Sequence, residues 1–213
     1  MIRWIRDLRA SGEPIDDQEF RPVCLSLSVT NAHAYEILEP LSAEYLRWSS
    51  GGYGQRGSVS ATAQALADKG QPPENQWAFL PSTDEAAGTY IAPSTVTGPF
   101  RRAQMSDLIS FDEVEAAIEA GHRVILALHT SPDWYLRDTT VITRGAPVRR
   151  NHAVVAVAAG VMESGVGGLL RRGDRVLVIR NSWGSNWGQN GHAIMTEHAF
   201  VTSVHRSLLV APF

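Results

Sequence analysis

The 213-residue sequence contains a single cysteine, Cys24, so no disulfide can form within the chain. A structural zinc site built from several thiolates is excluded for the same reason. Met1-Ile2-Arg3-Trp4-Ile5-Arg6 is interrupted by charge and lacks the apolar core of a signal peptide. No apolar run is long enough to span a bilayer. These absences point to a reducing compartment, and a cytoplasmic protein or a delivered effector is expected. Charge excess is also missing: the formal net charge of -3 creates no field that would draw the chain to nucleic acid. Arg101-Arg102, Arg149-Arg150 and Arg171-Arg172 read as solvated surface. There is no internal repeat, no low-complexity linker and no nucleotide-binding glycine loop. No metal and no other cofactor is expected.

What is present suffices for a sizeable core: 44% of the residues are hydrophobic and 19% charged. Residues 1–21 read as irregular or extended. Pro22 precedes a helix from Cys24 to about Leu38, near the usual place of proline at a helix start. A second short helix opens at Ser42, and a third runs from Ser58 to Lys69 with Gly70 as its stop. Residues 71–104 are proline-rich and loop-like. Ser110-Phe111-Asp112-Glu113 reads as a capping box opening a helix that stops at Gly121. Strands follow at Val124–Leu128, Ala153–Val157 and Arg175–Arg180, with closing strands at Ala193–Met195 and Ser207–Val210. Helices first and strands later argue for α+β with two unlike lobes.

A lone cysteine is ordinarily a small buried hydrophobe. Cys24, however, stands where a helix begins. Unpaired N–H groups and the positive end of the helix dipole favour the thiolate there, and the thiolate is the nucleophile. Among seven histidines, His152 is set apart because it opens a strongly apolar strand whose edge can hold an imidazole rigidly. The third element is the loop from Asn181 to Gly191, with Trp183, Trp187, spaced glycines and an Asn-Gly turn. A structural hairpin is the simpler account of it. That account does not explain an asparagine beneath a large aromatic cover, where the amide oxygen can accept an imidazole N–H and the indole can exclude water.

Asn181-Ser182-Trp183-Gly184 with Trp187-Gly188 and Gly191 resembles the asparagine loop of papain-like cysteine peptidases. His152-Ala153-Val154 resembles that family's histidine strand. Gln18, six positions before Cys24, resembles its oxyanion glutamine, and the order Gln, Cys, His, Asn is the family's. Asp7-Leu8-Arg9 is similar to the motif that opens the mature enzyme. Ser50-Gly51-Gly52-Tyr53 resembles the glycine segment that binds the substrate backbone. The resemblance implies a single peptidase domain over residues 1–213, in two lobes. A mainly helical one covers about 1–105, and an antiparallel, β-barrel-like one covers about 106–213, with the active site in the cleft between them. It implies Cys24 as nucleophile, His152 as general base and acid, and Asn181 as the residue orienting it. Gln18 would serve the oxyanion hole, while Gly51, Gly52 and Trp183 would contact the substrate. A peptide or protein is the implied partner, with no metal involved.

The sequence departs from the family pattern in several places. Glu19 stands where glycine usually follows the glutamine, and Leu25 where tryptophan usually follows the nucleophile. The paired cysteines are missing, so the core must hold the helical lobe, helped by Trp48, Trp77 and Phe79. The connection from His152 to Asn181 is long; its stretch from Gly160 to Gly168 reads as a flexible hairpin excursion, either disordered or a flap touching substrate or partner. No propeptide is visible, so a bacterial-type member with narrow processing specificity is expected. Two other functions stay open. The same acyl-enzyme could pass to an amine, making a transpeptidase or amide ligase. Alternatively, Glu19 and Leu25 could mark a catalytically degenerate peptide-binding domain.

Overall fold

The structure is a computed structural model that describes residues 1–9, 12–51, 57–86, 88–136, 139–145 and 151–213. Its elements, in chain order, are β1 (Ile2–Asp7), α1 (Cys24–Ile37), α2 (Ala43–Ser49), α3 (Val59–Asp68), β2 (Ala103–Leu108), α4 (Phe111–Glu119), β3 (Val124–His129), β4 (Val141–Ile142), β5 (Asn151–Met162), β6 (Arg175–Arg180), β7 (His192–Thr196), α5 (Glu197–Ser203) and β8 (Val204–Pro212). The chain divides into two compact units. One comprises Met1–Asp17 with Asp107–Leu209, the other Gln18–Ser106 with Val210–Phe213. The architecture is α+β, as the element order suggested.

In the first unit, β5 is the axis of the sheet. It is twelve residues long and buried almost throughout, because β3 and β6 flank it and β1 pairs with it as well. Strand order is β2-β8-β3-β5-β6-β7-β4. A barrel-like closure was expected, but the sheet is open, and its last member, β4, pairs parallel with β7. Residues 1–17 belong here rather than with the helices, because β1 is a true strand: Ile2 pairs with Met162 and Asp7 with Ala158. Its pattern does not alternate: Ile2 and Ile5 are its partly buried positions, and the register shifts between Trp4 and Arg6. The capping box before α4 forms with one change. Ser110 Oγ accepts the Glu113 N–H, while the Glu113 carboxylate reaches back to the N–H of Ile109.

The long connection after β5 is ordered. Val166 and Leu170 pair across a tight turn. Leu170 is buried with Met162 and Val176, against Ile2, Val141 and Ile194. A disordered excursion is therefore not what the sequence encodes. One aliphatic side chain in a polar, glycine-rich stretch anchors the hairpin in the core.

In the second unit, α1 carries the lone cysteine at its first residue and ends on Leu38 in the left-handed region, φ 56°. Ser42 caps α2 and Ser58 caps α3, each through a side-chain oxygen accepting a backbone N–H. A buried ionic network ties Glu85 and Tyr90, from the segment before β2, to the helices. Arg21 contacts Glu44 at 2.5 Å and Glu85 at 2.8 Å, and Arg47 contacts Glu85 at 2.7 Å. The Tyr90 hydroxyl donates to Glu44. Beside it, Trp48, Trp77 and Tyr90 form a chain of tilted rings, with Tyr45 linking Trp48 to Phe100. Phe79 packs on Val23, Leu27 and Ala43. The core, helped by Trp48, Trp77 and Phe79, was expected to replace the missing disulfides; the structure adds the charge network to it.

Candidate active site

His152 is the second residue of β5, paired with Leu128 of β3. Asn181 follows the last residue of β6. The antiparallel register sets Val155 opposite Arg180, so the beginning of β5 and the end of β6 meet at the same end of the sheet. That places His152 Nε2 2.7 Å from Asn181 Oδ1. The same oxygen accepts the Ser182 backbone N–H at 2.8 Å. A backbone N–H can only donate, so the atom facing it must be the amide oxygen. His152 Nε2 is therefore the donor in its bond, and Nδ1 carries the lone pair when the ring is neutral. Asn181 Nδ2 is buried and has no partner among the described residues; both of the side chain's bonds are made through its oxygen.

An aromatic cage surrounds this bond. Trp183 stacks on the His152 ring, with centroids 4.7 Å apart and planes at 28°. Trp134 meets His152 edge-on at 6.0 Å and stacks on Trp187 at 5.8 Å. Trp187 Nε1 donates to the Trp134 carbonyl at 2.7 Å, locking the Pro132–Tyr135 turn to the asparagine loop. Tyr135 stacks on Trp183 at 5.3 Å. Trp134 and Tyr135 were not singled out from the sequence. Two adjacent aromatic residues just after a buried strand were the available signal, but only the fold brings them to the imidazole.

The loop itself holds its shape through tight backbone contacts. Asn190 and Gly191 both have positive φ, 51° and 76°, as the Asn-Gly turn required. Gly188 sits at φ +58°, and a Cβ there would lie 2.3 Å from the His192 carbonyl oxygen. Gly184 donates its N–H to the Asp16 carbonyl, and Trp183 bridges Asp17.

In the other unit, the Gln18 Nε2 donates to the Arg21 carbonyl at 2.9 Å, and the Arg21 N–H returns to the Gln18 carbonyl at 3.0 Å. This closed turn delivers the chain to Cys24, which is half-buried at the first position of α1. Glu19 has φ 48°. The position demands the left-handed conformation that glycine adopts freely, which accounts for the backbone consequence of that substitution. Leu25 is buried and packs beside Gly57. Gly51 has φ +74°, and a Cβ there would meet no atom of the described residues within 4 Å. Gly52 and Tyr53 lie outside the described residues. The structure thus brings His152, Asn181 and Trp183 together in one unit, and Gln18 and Cys24 into one turn-and-helix segment of the other.

A profile of the papain family of cysteine proteases matches residues 91–209, more than half of the chain. The chain belongs to this family. It is accordingly a papain-like cysteine peptidase, a hydrolase whose substrates are peptides or proteins. The matched segment contains His152 and Asn181, whereas Gln18 and Cys24 precede it. Comparison with curated protein sequences finds no match. Among solved structures, the fold resembles the cysteine protease CMS1MS2 of Carica candamarcensis, solved in complex with E-64 (17% identity, TM-score 0.72, 96% of each chain). It also resembles xylellain, a cysteine protease of Xylella fastidiosa (17% identity, TM-score 0.72, 98% of this chain and 85% of that one). Bromelain from Ananas comosus is similar too (19% identity, TM-score 0.71, 97% and 96%). At such identities these likenesses bear on the fold. Among the described residues, no helix is long and apolar enough to cross a membrane.

Proposed function

We propose that the chain hydrolyses peptide bonds through a thioester at Cys24, with His152 moving the protons, Asn181 orienting His152, and Gln18 together with the Cys24 backbone N–H facing the oxyanion. The observation that carries this reading is the direction of the His152–Asn181 bond, which leaves Nδ1 as the ring's base. The position of Cys24 at a helix N-terminus supports it as well, because that end favours the thiolate.

In the proposed cycle the sulfur anion attacks the scissile carbonyl carbon. The C–S bond forms and the carbonyl π pair moves onto oxygen, where N–H donors stabilise it. As the carbonyl reforms, the C–N bond breaks and the leaving amine takes the imidazolium proton. His152 then removes a proton from water, whose oxygen bonds to the thioester carbon, and sulfur departs as thiolate. Trp183 would shield the His152–Asn181 bond from water, and Gly51 with Gly52 would meet the substrate backbone. The two units would act as one peptidase domain over residues 1–213, with narrow processing specificity in a cytoplasm. Glu19 adopting a glycine-like backbone supports an intact site over a degenerate one.

The sole thiol makes the test direct. Iodoacetamide near pH 6, followed by intact-mass measurement, should label Cys24 far faster than an ordinary thiol, and His152→Ala should remove that advantage. Equal labelling rates in the two proteins would refute the pair.

A further inference from the structure

One charged cluster in the unit that holds His152 is not used by the cycle above. Glu13 lies between two buried arginines, Arg123 and Arg180. Arg123, just before β3, donates Nη1 to Glu13 Oε1 at 2.8 Å and Nη2 to Glu13 Oε2 at 2.6 Å. The same Nη2 donates to the Leu8 carbonyl at 2.9 Å. Arg180, the last residue of β6, stands 3.6 Å from the Glu13 carboxylate and donates to the Pro14 carbonyl. The residue after Arg180 is Asn181. Residues 12–17 belong to no helix or strand, and their one ladder contact is the bridge from Asp17 to Trp183. Even so, this segment lies hard against the asparagine loop. A Cβ at Gly184 would come 2.6 Å from Asp17 Oδ2, and one at Gly191 would come 2.6 Å from Ile15 Cγ2. Gly184 N–H donates to the Asp16 carbonyl at 3.0 Å, and Asn181 N–H donates to the Gly191 carbonyl at 2.9 Å. The segment thus touches the loop near both of its ends, and the two arginines fix the segment.

We propose that Glu13 is a positioning residue for catalysis. Clamped by Arg123 and Arg180, it holds residues 13–17 against the asparagine loop and so keeps Asn181 Oδ1 at the 2.7 Å from His152 Nε2 at which it orients the imidazole. The inference rests on His152 being the group that moves the protons. A two-pronged bond between guanidinium and carboxylate fixes direction as well as distance, which an apolar contact does not. Asp16, Arg9 and His192 are the other titratable groups that sense this cluster. None of them bonds to His152 or Asn181, whose contact with the clamp runs through the backbone of the loop.

The test follows peptide hydrolysis and iodoacetamide labelling of Cys24 over about pH 4 to 10 in wild type, Glu13→Ala, Glu13→Gln and Arg123→Lys. Glu13→Ala is expected to lower kcat roughly tenfold to a hundredfold with little change in KM. It should also move the alkaline limb of the labelling profile to lower pH, because an imidazolium without a well-placed amide oxygen gives up its proton more readily. Glu13→Gln should do the same by less. Arg123→Lys retains every charge and loses only the fork, so a shift there separates geometry from field. Leu170→Ala, which loosens the same unit away from the segment, should lower stability and leave the profile where it is. If Glu13→Ala does not fold, the other two variants decide. Folded variants with the wild-type kcat and profile overturn the clamp. So does an Arg123→Lys protein indistinguishable from wild type, or a failure of all three to fold, which would make the cluster a folding element only. A wild type that labels as an ordinary thiol overturns the assignment of His152 instead, and the clamp with it.

Discussion

Glu19 occupies a backbone conformation that costs a residue with a Cβ about 1–2 kcal/mol, and its side chain is exposed. Glu19→Gly is therefore expected to raise stability by about 1 kcal/mol in urea titration, and Leu38→Gly at the exposed C-cap of α1 should do the same. A loss of stability at both sites would mean that the strain is not real. Gln18 differs in kind, because its buried amide is held by Arg21 rather than by apolar packing. Gln18→Ala is expected to reduce kcat by about 10²–10³ with a smaller change in KM, whereas Cys24→Ala abolishes turnover. A Gln18→Ala enzyme as fast as wild type would remove that residue from the oxyanion hole.

At the scale of elements, the hairpin between β5 and β6 is the feature whose character changed most between sequence and structure. Its glycines and polar residues suggest mobility, yet Leu170 is 2% exposed, and the backbone on either side is paired: Gly173 N–H with Met162 O, Met162 N–H with Asp174 O. Leu170→Ala should cost about 2–4 kcal/mol, read from the urea midpoint. A cost below about 1 kcal/mol would return the hairpin to the role of a loose flap. Helix α1 makes the complementary point. It is buried on most of its circumference, with Ser26, Ser28 and Thr30 as enclosed as Leu27 and Val29, so it has no polar face to mark it. Its start was legible from Pro22 and its length from the absence of breakers.

For the molecule as a whole, the question is what holds a loop-rich helical unit without disulfides. Glu44 is the centre of the answer, bonded by Arg21, Tyr90 and the Leu80 N–H. Removing one partner from a buried ion pair leaves a desolvated charge behind, so Glu44→Ala is expected to destabilise by about 3–5 kcal/mol. The exposed Arg101–Glu39 pair serves as the control, with a loss below about 1 kcal/mol on Arg101→Ala. His33 adds a pH dependence. Gln71 Nε2 donates to the Ser42 carbonyl, which orients the amide so that its oxygen faces His33 Nδ1 at 2.9 Å. Nδ1 is then the donor, and the buried Nε2 has no partner among the described residues. Burial pushes the imidazole below its ordinary value near 6.5. The unfolded chain therefore binds this proton at a higher pH than the folded one does. Stability is complete above about 6.5 and declines as pH falls toward the lower folded value, by up to about 1.4 kcal/mol per pH unit. Urea midpoints measured from pH 8 to 5.5 should show this decline, and a His33→Gln variant should show less of it; parallel curves would assign the acid sensitivity elsewhere.

By itself the sequence determined what is local or periodic: the caps at Ser42, Ser58 and Ser110, the apolar strands, the Asn-Gly turn, and the Gln18–Cys24 spacing and the order of Gln18, Cys24, His152 and Asn181 that resemble one family. The strand β1 escaped because a register shift between Trp4 and Arg6 spaces its partly buried residues three apart instead of two, and α5 because only its Thr196 cap announced it. Tertiary structure decided whatever depends on residues far apart in the chain. His152 and Asn181 are 29 positions apart and meet through the β5–β6 register. Arg21 finds Glu85 across 64 positions, and Tyr135 comes to lie on Trp183 only when the Pro132–Tyr135 turn is folded against the asparagine loop. Propensity and periodicity act over a few residues, whereas a buried charge or an exposed ring acquires its partner from the packing of the whole chain.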